Sequence, residues 1–250
     1  MPATSTAPVA PVAPVARALA VASDRPDVDE RGLGPVVTEV LEVLLERALA
    51  DTGLPPVTLP ELVERIPVPA PDVEAAVGHL GAMAAVELTT SGIELTPSGR
   101  EHARTAVRRH RLVERMLADL VGLEWWKVHH EAARFDGVIS ADVEAKLIEQ
   151  LGDPGTCPHG NPIPGSHNQP QHPDAVLLAD APVGPVHVVR ITETLEGDDE
   201  ALQLLQNCGF LPGRDAEIKD RRDGWVEVAG TVHDAAFPHH LASHTYVAPR

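Results

Sequence analysis

The chain has 250 residues, a hydrophobic fraction of 43% with only 3% aromatic residues, and a formal net charge of −17. This length allows one large domain or two to three small ones around an aliphatic core, and the acidic charge excludes a uniformly basic nucleic-acid-binding surface. There is no run of about 18 apolar residues and no basic leader before a hydrophobic stretch, so neither a membrane span nor a secretory signal is expected. Two cysteines, Cys157 and Cys208, cannot form a disulfide framework, which favours the cytoplasm.

The N-terminal part of the chain combines a low-complexity tail with helical patterns. Residues 1–32 repeat proline and alanine, which predicts a disordered tail. Apolar residues at helical spacing then predict three helices, which begin at Val36, Leu59 and Pro71. Apolar and polar residues alternate on both sides of Ser91-Gly92, which predicts a hairpin. Three helices and a hairpin over residues 33–104 are typical of a winged helix-turn-helix.

The middle of the chain is predicted to be helical. A long helix is expected from Pro97 through Leu120, and a second from Glu124 to Phe135. A third helix is expected to begin after a Ser140 cap and to end at Leu151. These patterns predict a helical domain over residues 105–165.

The last part of the chain changes from loop to β pattern. Residues 152–182 are rich in Gly, Pro, His and Asn and are interpreted as an extended linker, with the domain boundary at residues 166–182. Alternating strands follow from Val186, interrupted by one helix, Glu200–Asn207. We therefore expect an α+β protein with a small C-terminal β-barrel over residues 183–250.

Three motifs carry a resemblance to a known family. They are His110-Arg111-Leu112-Val113-Glu114-Arg115, Lys127-Val128-His129 and Gly160-Asn161-Pro162-Ile163-Pro164-Gly165. Together they resemble the diphtheria-toxin-repressor family of metal-dependent regulators, and residues 204–213 resemble its C-terminal FeoA-like barrel. The resemblance implies a homodimer that binds Fe(II) or Mn(II) and then grips palindromic operator DNA through winged helices, with two metal sites per subunit.

The spacing of three residues predicts one of these sites, the ancillary site of the family. His110 and Glu114 are four residues apart and therefore project from one helix face, while His129 lies on the next predicted helix. Two imidazoles and a carboxylate suit Fe, Mn, Co, Ni or Zn. The alternative is that Glu114 only pairs with Arg111 or Arg115.

The resemblance also implies carboxylate or amide ligands from the barrel domain. The matching positions are Asp199 and Glu200, with Glu196 and Asp198 close by. Ligation by these residues is expected to clamp the barrel onto the helical domain.

The family's primary metal site is degenerate in this chain. Ala133 and Gly137 have no donor atom where the family pattern has ligands, which leaves Asp136, with Glu39 of the first helix as a second candidate. Two carboxylates make a weak, hard-ligand site. His130 is an alternative nitrogen donor, although an exposed histidine is the favoured interpretation. The primary site is thus predicted to be lost or rebuilt.

The predicted DNA-reading helix is acidic. Residues 33–105 contain 4 basic and 11 acidic residues, and the helix that begins at Pro71 has no Lys or Arg. The candidate DNA-facing positions in it are Asp72, Ala75 and His79, which lack bidentate base readers. One basic cluster lies on the long helix, where it is either a solvated face or a source of phosphate contacts: Arg100, Arg104, Arg108, Arg109, Arg111 and Arg115.

A second group of potential ligands is Cys157-Pro158-His159 with His167 and His172 downstream. Its spacing is looser than in structural zinc sites, so an ordinary loop is favoured. No phosphate loop, nucleophile elbow or His-Glu-x-x-His motif occurs, so we do not expect an enzyme.

The leading functional prediction is a metal-dependent transcriptional regulator with Fe2+ or Mn2+ as effector. Because the predicted reading helix is acidic, the alternative is a divergent paralogue that dimerises and binds metal but acts through protein contacts. A third hypothesis is a metal buffer or carrier.

Overall fold

The structure, a computed structural model, describes residues 34–50, 53–222 and 224–250. The predicted tail at residues 1–32 lies outside the described residues. The described chain mixes helices with sheet, and no helix in it is long and apolar enough to cross a membrane.

The first layer contains three helices and a hairpin, as the sequence patterns predict. Its elements are α1 (Gly34–Leu49), α2 (Leu59–Arg65), α3 (Ala70–Ala82), β1 (Val86–Thr89) and β2 (Gly92–Leu95). The Thr58 hydroxyl accepts a hydrogen bond from the Glu61 amide, which satisfies a free N–H at the start of α2. The strands pair antiparallel with Val86 opposite Leu95. The apolar faces of the helices and the hairpin form one aliphatic core.

The helical middle of the chain follows without a break. α4 (Pro97–Arg115) is continued by a π-helical turn, Met116–Val121. The second predicted helix is divided into a 3-10 turn, Trp125–Lys127, and α5 (Val128–Ala133), and the third is α6 (Ala141–Leu151). The Ser140 hydroxyl accepts from the Val143 amide and caps α6, as expected. These helices enclose a second small core around Leu112 and Val113.

The C-terminal part is a six-stranded antiparallel sheet with three short helices. Its elements are β3 (Val176–Leu177), β4 (Gly184–Ile191), α7 (Glu193–Glu196), α8 (Asp199–Cys208), β5 (Asp215–Arg222), β6 (Trp225–Ala229), β7 (Asp234–Pro238), α9 (His239–Ala242) and β8 (Thr245–Pro249). The strand order is β3-β8-β4-β5-β6-β7. Within the described residues, β3 and β7 stand at the two ends of this order, so hydrogen bonding does not close the predicted barrel.

The segment interpreted as an extended linker is in part tightly packed. Between residues 153 and 165 the side chains of Cys157, His159, Asn161 and Ile163 are buried. Gly160 makes this packing possible, because a Cβ at its φ of +89° would lie only 2.2 Å from the Val189 carbonyl oxygen. An extended linker is therefore the wrong description for this half of the segment.

Two elements hold this loop from opposite sides. The Arg115 guanidinium on α4 donates to the carbonyls of Thr156 and Cys157, at 2.7 Å and 3.1 Å. On the other side, the Ile191 amide of β4 donates to the His159 carbonyl at 3.0 Å. The loop is thus fixed between the helical layer and the C-terminal sheet.

Candidate metal centre

Five buried side chains converge where α4, α5, α7 and the packed loop meet. They come from α4, α5, the loop and α7, in that order: His110, Glu114, His129, His159 and Glu196. Each is almost wholly removed from solvent. Buried ionisable groups must pair or bind a metal, so this cluster is the candidate site.

Glu114 lies at the centre of the cluster. Its Oε1 is 3.6 Å from Nε2 of His110, one helical turn away, and 3.4 Å from Nδ1 of His129. The same two imidazole nitrogens lie 3.2 Å from each other. The His110 and His129 nitrogens and the Glu114 oxygen therefore face a common point, as the spacing of the sequence predicts.

The packed loop and α7 complete the other side. Nδ1 of His159 is 3.2 Å from Glu114 Oε1 and 3.2 Å from Glu196 Oε2. Glu196 Oε2 is also 3.0 Å from Nδ1 of His129. Glu114, Cys157 and His159 offer ligand atoms that lie within 4.8 Å of one another, as do His110, Glu114 and His129.

Two further carboxylates hold the outer nitrogens of the first two imidazoles. Asp136 Oδ1 lies 3.0 Å from Nδ1 of His110, and Glu39 Oε1 of α1 lies 3.1 Å from Nε2 of His129. Each carboxylate can accept the outer N–H and so leave the inner nitrogen's lone pair free for a metal. This arrangement orients both rings and raises their basicity.

Replacement of Asp136 by Asn is expected to lower metal affinity by about 10- to 100-fold, because the ring of His110 loses its anionic partner. Isothermal titration with Mn(II) measures the change. Asp142→Asn, in the exposed first turn of α6, is the control and should leave affinity unchanged. Equal affinities for Asp136→Asn and wild type would show that Asp136 does not orient a ligand.

The donor set fits a divalent transition-metal ion. Glu114 Oε2 and His159 Nε2 are buried without a hydrogen-bond partner, and the 3.2 Å contact between Glu114 Oε1 and His159 Nδ1 lacks hydrogen-bond geometry. Leaving such groups unpaired costs about 1–3 kcal/mol each, more when they are charged, and a bound cation satisfies them. Imidazole, carboxylate and thiolate donors suit Fe, Co and Zn, with Mn favouring the oxygen ligands.

The pKa values of the cluster show how its charges are balanced without metal. Burial alone lowers the pKa of His159, but the carboxylates of Glu196 and Glu114 outweigh it and raise that pKa to about 10. Burial raises the pKa of Glu196, but His159 outweighs it and lowers that pKa to about 2. Burial, followed by the same two carboxylates, raises the pKa of the Cys157 thiol. A metal ion that binds here must therefore displace protons.

The structure does not bring Asp199 and Glu200 to the cluster. Both are exposed in the first turn of α8, and Asp199 lies 3.5 Å from the half-exposed His130 ring. Asp198 caps α8 by accepting from the Ala201 amide at 3.0 Å, which directs the following residues outward. The carboxylate that reaches the cluster from the C-terminal part is Glu196, one turn earlier.

The structure forms no separate primary site among the described residues. Asp136 and Glu39, its two predicted ligands, instead hold the rings of His110 and His129. His130 stays outside the cluster, and Gly137 is exposed. The two carboxylates predicted for the primary site thus hydrogen-bond the two histidines predicted for the ancillary site.

Sequence reasoning missed His159 and Cys157, which it assigned to an ordinary loop. The structure buries both beside Glu114. The available signal was the short Cys-x-His spacing directly before the Gly160–Gly165 motif, which by itself does not show that the loop packs inward.

The predicted DNA-reading residues lie on α3. Asp72, Ala75 and His79 are half-buried and lie beside the fully buried face of the helix, which is formed by Val73, Ala76, Val77 and Leu80. Two arginines of this layer are paired with acids, Arg47 with Glu61 and Arg65 with Glu46. Local positive charge is therefore low on this layer.

Comparison of the sequence with known proteins finds metal-dependent repressors. The family described as iron dependent repressor, metal binding and dimerisation domain, matches residues 96–165. The iron-dependent repressor IdeR of Mycobacterium tuberculosis (strain CDC 1551 / Oshkosh) is 38% identical over 161 residues, which cover 60% of this chain and 70% of that protein. The diphtheria toxin repressor of Corynebacterium diphtheriae is 31% identical over 203 residues, covering 78% of this chain and 89% of that protein.

Solved structures show the same likeness. A manganese-dependent transcriptional repressor in complex with manganese superposes with a TM-score of 0.67 at 28% identity, covering 85% of this chain and 99% of that one. For IdeR of T. acidophilum the TM-score is 0.63 at 25% identity, covering 86% and 97%. Fold and buried cluster together define a metal-binding protein of mixed helix and sheet. The chain belongs to the iron-dependent repressor family, which includes the diphtheria toxin repressor.

Proposed function

We propose that this protein is a metal-dependent transcriptional repressor that dimerises and binds operator DNA when Fe2+ or Mn2+ occupies the buried cluster. The observation that carries the proposal is the convergence of His110, Glu114, His129 and Glu196 from the helical and C-terminal parts of the chain. The metal supplies positive charge that holds these donors together. It has no catalytic task, and repressor relatives support a regulator rather than an enzyme.

The chain's own contacts connect this cluster to the first layer. Glu39 of α1 binds His129, and Arg111 of α4 lies 3.7 Å from Glu42 of α1 while it also pairs with Glu193 of α7. Glu42 is buried, and its carboxylate oxygens have no hydrogen-bond partner. Any change in the position of α5 or α7 is therefore transmitted to α1, so that metal favours one arrangement of a two-state protein.

The first layer is proposed to be the winged helix-turn-helix that contacts DNA. α1 and α3 share its core, so a movement of α1 also moves α3 with Asp72, Ala75 and His79. β1 and β2 are then the wing. With so few free cations on this layer, much of the phosphate contact has to come from α4, where Arg104 is exposed.

Dimerisation is supported by exposed apolar side chains on the helical layer. They lie in the π-helical turn, just before α6 and in the first turn of α6: Leu120, Val121, Val138 and Val143. Such side chains are more easily explained by a partner than by solvent. A second copy of the chain would set the separation of two α3 helices.

The proposal is tested by fluorescence anisotropy with labelled, sheared genomic DNA under anaerobic conditions at about 50 mM salt. We expect Fe(II) or Mn(II) to raise DNA affinity at least about tenfold over protein in EDTA, and affinity to fall as salt rises. If no salt-dependent binding occurs with either metal, the repressor proposal fails. The acidic α3 then favours the second candidate, a paralogue that acts through protein contacts.

A further inference from the structure

We propose that a cavity of about 680 Å³ between the end of α4, the packed loop and β4 binds a small organic anion that carries a flat ring. None of the five side chains of the buried cluster lines this cavity. Its volume is typical of sites for small organic molecules. The inference is independent of the proposed function, since it uses neither the metal nor DNA.

One wall of the cavity is the outer face of β4. Val186 and Val188 are buried in the C-terminal core, so His187 between them points to the opposite face. The pairing of β4 with β8 shifts register between Val188 and Arg190, and an irregularity of this kind re-aims a side chain. Val189 and Arg190 both line the cavity together with His187. The irregular strand thus brings a guanidinium to this wall.

The other walls are fixed by hydrogen bonds. The Trp125 indole donates to the Pro158 carbonyl of the packed loop at 2.8 Å. The turn before β5 is bound to β4, because the Gly213 amide donates to the Val188 carbonyl and the Val188 amide to the Arg214 carbonyl, each at 2.9 Å. Gly213 and Arg214 are exposed and give the cavity access to solvent. A cavity held in this way is preformed, which lowers the cost of ordering it around a ligand.

The charge of the cavity is opposite to that of the chain, which has 37 acidic residues against 20 lysines and arginines. Apart from histidines, the charged side chains that line the cavity are three arginines and one aspartate: Arg115, Arg190, Arg214 and Asp119. Asp119 is paired with Arg115 at 3.4 Å. Asp215, which binds Nδ1 of His187, is itself paired with Arg250 at 2.8 Å. The cavity therefore keeps an excess of positive charge, which attracts an anion.

Two of these arginines have donors to spare for the anion. Arg190 donates to the Asn161 amide oxygen at 3.1 Å, and Arg214 donates to the Thr231 hydroxyl at 3.1 Å. In the part of the chain that the structure describes, neither guanidinium forms an ion pair with a carboxylate. A guanidinium has five N–H donors in a planar fork that matches a carboxylate or a phosphate. Both arginines can therefore bind such a group.

Flat side chains in the cavity favour a ligand with a ring. The Arg190 guanidinium lies over the Tyr246 ring, 4.2 Å from its centroid. The rings of His172 and His187 are stacked, with centroids 5.7 Å apart and 27° between their planes. Trp125 adds an indole on the side of the helices. Such surfaces bury an aromatic or heteroaromatic ring, which an inorganic ion does not offer.

Isothermal titration of the metal-free full chain tests the inference with four probes. Naphthoate and adenosine monophosphate combine flat rings with an anionic group, and they distinguish a carboxylate from a phosphate. Naphthyl methanol has only the ring, and inorganic phosphate has only the charge. We expect at least one ring-bearing anion to bind at least about tenfold more tightly than both single-feature probes. Arg190→Gln and Arg214→Gln should each lower that affinity at least about tenfold, because a charged hydrogen bond is lost.

Arg222→Gln is the matched control, because Arg222 is an exposed arginine at the end of β5 that pairs with Glu227 at 3.1 Å and does not line the cavity. It should bind the anion as the wild type does. Arg214 is exposed, so Arg214→Gln reports on the cavity even if Arg190→Gln disturbs the stacking on Tyr246.

Three results would overturn the proposal. One is an affinity that both arginine variants share with the wild type. Another is a single-feature probe that binds as tightly as the ring-bearing anions, and the third is no binding of any probe at about 1 mM. Because no metal or DNA is present in this titration, its failure leaves the proposed function untouched, and loss of metal-dependent DNA binding leaves this inference untouched.

Discussion

Replacement of Glu114 by Ala is expected to abolish metal-dependent stabilisation of the protein. Glu114 is fully buried and lies within 4.8 Å of possible ligand atoms of His110 and His129 on one side, and of Cys157 and His159 on the other. A metal present at 100 times its dissociation constant stabilises the wild type by about 2.7 kcal/mol. For a chain of this size that corresponds to a rise in Tm of roughly 5–10 °C. The variant should show almost none of this rise.

Thermal unfolding followed by circular dichroism, with Mn(II) or with EDTA, measures the difference. Glu131→Ala is the control, since Glu131 lies on α5 near the site but pairs with the exposed Arg134 at 3.3 Å. It should keep the full shift. Glu114→Gln preserves the shape of the side chain and should also lose the shift if Glu114 binds through its charge. A normal rise in Tm for both Glu114 variants would contradict the assignment.

The second large effect is a steep pH dependence of metal binding. His159 has a pKa of about 10 in the metal-free protein, where burial is outweighed by the carboxylates of Glu196 and Glu114. Burial also opposes protonation of His110 and His129, but Asp136 for the first and Glu114 for the second outweigh it, so both pKa values lie well above 6.5. At pH 7 these imidazoles hold protons that a metal must displace.

Each displaced proton makes apparent affinity rise about tenfold per pH unit, so Mn(II) affinity should increase at least about 100-fold from pH 6 to pH 8. Calorimetry in buffers of different ionisation enthalpy counts the protons released. A pH-independent affinity over this range would show that the imidazoles are already neutral.

The stability of the metal-free protein should follow the opposite trend. A raised histidine pKa contributes stability that is complete below about pH 6.5 and is lost as pH rises through about 10 for His159. The lowered pKa of Glu196 contributes stability that is present above about pH 4.5 and is lost as pH falls towards about 2. Between pH 6.5 and 10, metal-free protein therefore loses this contribution while its metal affinity grows.

Much of the helical part of the fold could be predicted because its signals are local. The helix after residue 58 begins at Leu59 and Ser140 caps α6, both as expected, and the predicted hairpin is present with its turn at Thr90-Ser91, one residue before the predicted position. The same periodicity placed His110 and Glu114 on one helix face and next to His129. β3 was missed, because a strand of two residues has no alternation to detect.

The rest of the site could not be read from local patterns. The sequence does not distinguish Glu196 from the acids at positions 198–200 as a ligand. In the structure Asp198 caps α8, whereas the Glu196 side chain is buried in the cluster. His159 owes its burial to contacts of its loop with α4 and β4, which are distant in sequence. The partnership of Glu39 with His129 likewise spans 90 residues. These are properties of tertiary docking.

The contact between Glu39 and His129 has a consequence for metal economy. It connects α1, in the proposed DNA-binding layer, to His129, a proposed metal ligand, so in the proposed repressor the two binding events would share one free energy of coupling. That coupling is reciprocal: whatever factor the metal adds to DNA affinity, DNA must add to metal affinity. Protein bound to an operator would then retain its metal at free-ion concentrations at which the metal dissociates from DNA-free protein. The operator-bound protein would therefore hold a small reserve of the metal ion.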